Sequence, residues 1–155
     1  MPLSDWLANR WIVVHSPNVQ EITDLFAVVD RDLADADTPR LSDDWRLGIT
    51  YNAALQLATI ALAAEGYRAA RERHHERTIL SLRETIAAKR ATVDLLDVVR
   101  RKRNQASYEV AGSTSAREAD ELYKVVQGLR SDVVRWLGKQ HPKLCPSDIK
   151  RQRGE

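Results

Sequence analysis

At 155 residues and 17.6 kDa the chain fits one domain, a size that buries about 70% of the surface its extended form exposes. Its 43% hydrophobic and 30% charged residues, with only 6 Gly and 5 Pro, exclude a disordered chain and a turn-rich β protein. The net charge of +2 is unevenly spread: residues 1–66 hold 4 Lys and Arg against 10 Asp and Glu, and residues 67–155 hold 20 against 12, which points to nucleic-acid contact by the basic half or to pairing of the two halves.

The single cysteine, Cys145, excludes an internal disulfide and a multi-thiolate zinc site. Neither an N-terminal signal nor an 18-residue run of uncharged apolar residues is evident, so a cytoplasmic setting and no membrane partner are expected.

Leu3, Trp6, Leu7 and Trp11 keep helical spacing and predict a short amphipathic arm that covers part of the core. Ser16-Pro17 offers an N-cap followed by a proline at the first helical position. Val19, Ile22, Leu25, Phe26, Val29 and Leu33 then make one apolar stripe, which ends in the acidic stretch Asp35–Asp44 with Pro39 inside it. Ser42 with Asp43 and Asp44 is a cap plus an acidic first turn. The helix it opens, 43–65, is rich in small residues and almost uncharged, as a central buried helix would be, and Gly66 stops it.

Residues 71–90 are heavily charged yet keep His75, Ile79, Leu82 and Ile86 on one narrow stripe. Thr92 caps a predicted helix over 93–109, with Leu95, Leu96 and Val99 inward. Ser115 and Glu118 form a capping box, and Ala119, Leu122, Val126, Leu129, Val133 and Trp136 recur at the spacing of a long final helix. Past Gly138 no apolar period remains. These elements predict an all-α fold, an antiparallel up-and-down bundle of four to five helices, as a single domain over 1–140 followed by a basic, flexible tail over 141–155.

The usual catalytic signatures are missing: there is no glycine-rich phosphate loop, Gly-x-Ser-x-Gly, His-Glu-x-x-His or Cys-x-x-Cys. His74 and His75 are adjacent, so on a helix they point about 100° apart and cannot share a metal as an i, i+4 pair does. Asp30, Asp32, Asp35 and Asp37 alternate like a calcium loop but lack its glycine and its terminal glutamate. No metal or cofactor is therefore expected.

One segment stands out, Arg100-Arg-Lys-Arg103-Asn104-Gln-Ala-Ser-Tyr108. Four consecutive cations on a helix repel one another, so a sequence that sets them directly after an apolar run is using their charge or pairing it. Arg103 falls at the border of the inward stripe, four residues after Val99, while Arg101, Asn104 and Tyr108 share the neighbouring face. The alternatives for Arg103 and Asn104 are a substrate-facing pair and a buried hydrogen-bond network. For Arg100 to Lys102 they are phosphate contact and an acidic partner such as the six aspartates of residues 30–44.

This segment, together with Tyr51-Asn-Ala-Ala-Leu-Gln-Leu-Ala, Ala64-Glu-Gly-Tyr-Arg68 and His74-His75, resembles the HEPN superfamily of small helical bundles over roughly residues 18–137. Arg103-Asn104-x-x-x-Tyr108 matches the arginine, the polar second residue and the spacing of the family's Arg-x(4–6)-His motif, with tyrosine where the family has histidine. The resemblance implies a homodimer with the two motif helices facing across a basic cleft. It also implies an RNA-acting protein, a metal-independent endoribonuclease of a toxin–antitoxin or antiviral defence system, with an antitoxin or other protein partner. Carried onto this chain, the catalytic set is Arg103 as phosphate clamp, Asn104 orienting the substrate and Tyr108 as donor. Arg68, Arg100, Arg101, Lys102, His74 and His75 would contact nucleic acid, and either histidine could supply a base. The competing reading is a non-catalytic HEPN-like module that dimerises and binds nucleic acid, a nucleotide or a protein.

Overall fold

The computed structural model describes residues 1–106, 112 and 114–153. In chain order the elements are α1 (Leu3–Ala8), β1 (Ile12–Val14), α2 (Val19–Ala36), α3 (Asp43–Ala64), β2 (Tyr67–Ala69), α4 (His74–Leu80), α5 (Leu82–Thr85), α6 (Arg90–Ala106), α7 (Ala116–Gln140) and α8 (Ser147–Arg153). The fold is an all-α bundle, as composition and periodicity predict, built on the four long helices α2, α3, α6 and α7.

Cross-helix bonds give the directions of these four. Asn52 Nδ2 donates to Asp32 at 2.6 Å and Arg46 Nε to the Ala36 carbonyl at 3.1 Å, so α2 and α3 run antiparallel. Arg130 reaches Asp30, and the Tyr123 hydroxyl donates to the Leu33 carbonyl at 3.2 Å, so α7 also opposes α2. The C-terminal end of α6 lies on the N-terminal half of α3, where Arg103 covers the Tyr51 ring. The topology is therefore up-down-up-down.

α3 lies at the centre because its sequence leaves it no polar face. Leu47, Tyr51, Ala53, Ala54, Leu57, Ala58, Ile60, Ala61 and Leu62 are all buried, and the alanines let α2 and α7 approach closely. By length and composition α3 could cross a membrane, in contrast to the reading of the sequence, but 72% of its most apolar stretch is consumed by packing within the bundle. Ser42 caps it, accepting from the Trp45 N–H at 3.2 Å, and Gly66 ends it at φ 93°, a conformation that costs glycine little. α7 opens with the capping box read from Ser115 and Glu118 and buries Ala119, Leu122, Val126, Leu129 and Val133 along one stripe.

Several elements differ from the sequence reading. Asn18, not Ser16, caps α2, accepting from the Glu21 N–H at 2.8 Å, because the chain stays extended through Pro17 and Glu21 is itself fixed by His15. Val19 is exposed, and the α2 stripe begins at Ile22. The Val93 N–H bonds the Lys89 carbonyl, so α6 starts a turn before Thr92. Gly138 lies inside α7.

The 71–90 stripe is split into α4 and α5 about Ser81. The hydroxyls of Thr78, Ser81 and Thr85 donate back to carbonyls of their own turns, which competes with a continuous helix. Ile79 and Leu82 are buried, as the stripe requires, but His75 is exposed at the start of α4.

No strand was expected, yet β1 and β2 pair antiparallel with Ile12 opposite Ala69, Val13 opposite Arg68 and Val14 opposite Tyr67. Ile12 and Ala69 join Trp6 and Leu62 in a second small core closed by α1. Toward the C-terminus, where a flexible tail was expected, Cys145 and Ile149 are 3% and 4% exposed within the main core.

Candidate functional site

The basic run begins where the α6 stripe ends. Val93, Leu96 and Val99 are buried at intervals of three, and the next turn carries Arg100, Arg101, Lys102 and Arg103 out of the core. Arg100, Arg101 and Lys102 each meet a carboxylate. Arg100 Nε donates to Asp97 Oδ1 at 2.9 Å, and its Nη2 lies 3.9 Å from Glu76 Oε1 on α4. Arg101 Nε lies 3.5 Å from Asp97 Oδ2. Lys102 Nζ donates to Glu118 Oε2 at 2.6 Å and holds that carboxyl below its ordinary value. Arg100 to Lys102 thus pair with Asp97, Glu76 and Glu118, and of the aspartates of residues 30–44 Asp44 also feels the Lys102 charge while it accepts the N–H groups of Gly112 and Thr114. Asp30 takes Arg130 in a two-pronged bond.

Arg103 lies against α3. Its guanidinium carbon sits 5.4 Å from the centre of the Tyr51 ring, within the range of a cation–π contact. A Cβ built on Gly48 would meet its Nε at 3.7 Å. Tyr51 is only 1% exposed, and its hydroxyl has no hydrogen-bond partner among the described residues. Burial pushes this phenol up to about 12, although Arg100 and Arg103 pull the other way.

The charges of Arg103 and Arg100 also reach the imidazole of His75. Although His75 is exposed by surface area, desolvation by the protein around its ring, then the adjacent His74 and the Arg103 and Arg100 guanidiniums, hold it below the ordinary histidine value. The His74 ring stands edge-on to it at 5.9 Å. A neutral imidazole near two arginines can accept a proton while the arginines hold an anion.

The fold therefore brings His75, Arg100, Arg103 and Tyr51 together where α4, α6 and α3 meet. Asn104 is exposed beyond Arg103, one residue further around the helix. Tyr108 lies outside the described residues. Arg68 is exposed on β2, which packs against α3 and α4.

Sequence reasoning singled out Arg103 and His75 but did not join Tyr51, Glu76 or Asp97 to them, since their meeting depends on the antiparallel fit of α6 to α3 and on where α4 docks. Among the described residues no group of three His, Cys, Asp or Glu is arranged to hold a metal. The hollow of about 530 Å³ lined by Arg117, Asp120, Glu121 and Lys124 has two acids and two bases, which gives no preference for an anion.

The class these features define is a small up-and-down helical bundle with an arginine–imidazole cluster on one side. No protein-family model, curated protein or solved structure matches the chain.

Proposed function

We propose that the chain is an RNA-acting, HEPN-like helical protein in which Arg103 holds a phosphate and His75, supplied by α4, takes the place of the histidine missing after Asn104. The observation that carries this reading is the position of His75 on α4, beside Glu76, which reaches Arg100, with a ring that desolvation, then His74 and the charges of Arg103 and Arg100, hold below the ordinary histidine value. In a metal-independent cleavage the neutral imidazole removes the proton from a ribose 2′-hydroxyl as that oxygen adds to phosphorus. The guanidinium stabilises the charge gathering on the phosphoryl oxygens, and the departing 5′ oxygen takes a proton from a donor, the role given to Tyr108. Asn104, exposed beside Arg103, orients the substrate.

A pool of single-stranded and hairpin RNA incubated with the protein in EDTA tests this, with His75→Ala, Arg103→Ala and Tyr108→Phe alongside. Cleavage is expected from the parent protein and should fall at least a hundredfold in His75→Ala and Arg103→Ala, the size of a lost general base or charge-stabilising group. Cleavage unaffected by either substitution refutes the assignment.

A second reading, a non-catalytic HEPN-like binding module, is favoured by the ion pairs that occupy Arg100, Arg101 and Lys102. It predicts salt-sensitive RNA binding with no turnover at any protein concentration.

A further inference from the structure

The basic run that dominates the sequence is largely neutralised by its own neighbours, whereas the link between β2 and α4 is not. Residues 67–77 carry Arg68, Arg71, Arg73 and Arg77 against only Glu72 and Glu76. Glu76 is shared between Arg73 and Arg100, each at 3.9 Å. Arg68 and Arg71 are exposed and have no carboxylate within ion-pair distance among the described residues.

The sheet fixes where part of this charge points. Paired residues in an antiparallel ladder share a face, so Arg68 and its partner Val13 lie opposite the buried pair Ile12 and Ala69 and look outward. Arg77, from α4, lays its guanidinium over the Trp11 ring at 5.0 Å, and Trp11 in turn meets Trp6 edge-to-face at 5.7 Å. The Ala70 N–H donates to the Trp11 carbonyl at 2.8 Å, which sets this cation and its aromatic support next to Arg71.

We propose that the exposed surface running from β2 into α4, with Arg68 and Arg71 as phosphate contacts and the Arg77–Trp11 stack at its edge as a platform for a base, is a binding surface for single-stranded RNA. The proposal rests on the RNA-acting reading and adds to it where the strand lies outside the His75–Arg103 cluster. Charge complementarity selects the occupant: phosphates at single-strand spacing suit separated, unpaired arginines, and unstacked bases lie well on guanidinium and aromatic planes.

Fluorescence anisotropy with a labelled single-stranded RNA, repeated across a salt series, tests the surface. Each lost phosphate contact on a single strand lowers the slope of log K against log salt by about 0.7. The double variant Arg68→Ala/Arg71→Ala should therefore lose about 1.4 of slope and about tenfold in affinity at moderate salt. Arg68→Lys/Arg71→Lys should keep the slope, and Arg101→Ala, already paired to Asp97, should change affinity less than about twofold. Circular dichroism melts of all variants should coincide with the parent, since both substituted residues are exposed.

If the parent binds RNA and the double alanine variant binds with the same slope and affinity, this surface is wrong while the RNA-acting reading stands. An equal loss in Arg101→Ala also overturns it, because the effect is then one of net charge. No RNA binding by the parent overturns both.

Discussion

Removing the Tyr51 hydroxyl should stabilise the protein. The side chain is 1% exposed and its oxygen has no hydrogen-bond partner among the described residues, and a buried hydroxyl left unbonded costs about 1–3 kcal/mol. Tyr51→Phe keeps the ring beneath Arg103 and deletes that cost, so a gain of about 1 kcal/mol at pH 7 is expected, a rise in Tm of about 2–4 °C for a chain of this size. Alkaline pH adds a second signature.

The folded phenol titrates at about 12, above the unfolded value of about 10. Below pH 10 both states keep the proton and its contribution is fully present. Above it the unfolded chain ionises first, so stability is lost as pH rises through the folded value, by up to about 2–3 kcal/mol at 1.36 kcal/mol per pKa unit. The phenylalanine variant has no such loss. Urea melts of both proteins at pH 7, 9, 10 and 11 measure the difference, in which the titrations common to both cancel. A variant less stable than the parent by 1 kcal/mol or more at pH 7, or a difference that stays flat to pH 11, would refute the reasoning, because the hydroxyl would then have a bonded partner.

Ser115→Ala breaks the capping box that opens α7 and should cost about 1 kcal/mol, read as a fall in Tm of about 2–4 °C. Gly48→Ala, whose new Cβ would meet Arg103 at an ordinary contact distance of 3.7 Å, should gain about 0.5–1 kcal/mol by removing a glycine from the interior of α3, measured by denaturant melts. Leu96→Ala empties a fully buried position between α6 and the core and should cost about 2–5 kcal/mol by the same measurement. In an NMR titration the His75 ring should titrate below the ordinary histidine value of about 6.5 and move upward in Arg103→Ala, since a repelling cation has been removed. An unchanged midpoint separates His75 from Arg103 and sinks the proposed base.

The long helices were legible because their signals are local. Ser42 and Ser115 each cap the helix they were expected to cap, and the stripes of α3 and α7 run as their periods demand. Where the signal is shared between two candidates, tertiary context chose: Ser16 and Asn18 both suit an N-cap, and the extended path of β1 into Pro17 left the role to Asn18. The strands carry three residues each, too few for alternation to register, and the bond between them joins residues 57 apart, Ile12 and Ala69. Cys145 and Ile149 are two apolar positions in a basic stretch and have no period to reveal that they fill the core. The candidate site is hidden for the same reason as the sheet. Arg103 and His75 are conspicuous alone, but Tyr51 looks like any core aromatic until α6 is laid against α3.

The charge asymmetry between the two halves of the chain resolves once the fold pairs them. Arg130 on α7 grips Asp30 on α2, Arg46 on α3 reaches Asp120 on α7 at 2.8 Å, and Asp44 accepts two backbone N–H groups from the chain leading into α7. Hydrogen bonds from Gly112 and Thr114 hold the Asp44 carboxyl below its ordinary value, so it remains an anion there at any neutral pH. Acidic helix ends therefore answer to α7, and the cations of α6 to Asp97, Glu76 and Glu118, with Lys102 also acting on Asp44. Among the arginines this pairing leaves without a carboxylate are Arg68 and Arg71 between β2 and α4, which a scan for cationic runs ranks below Arg100–Arg103. If the chain meets a polyanion, mutational sensitivity should follow unpaired charge rather than charge density along the sequence, and Arg68 and Arg71 should outweigh Arg101 and Lys102 in every salt-dependent measurement.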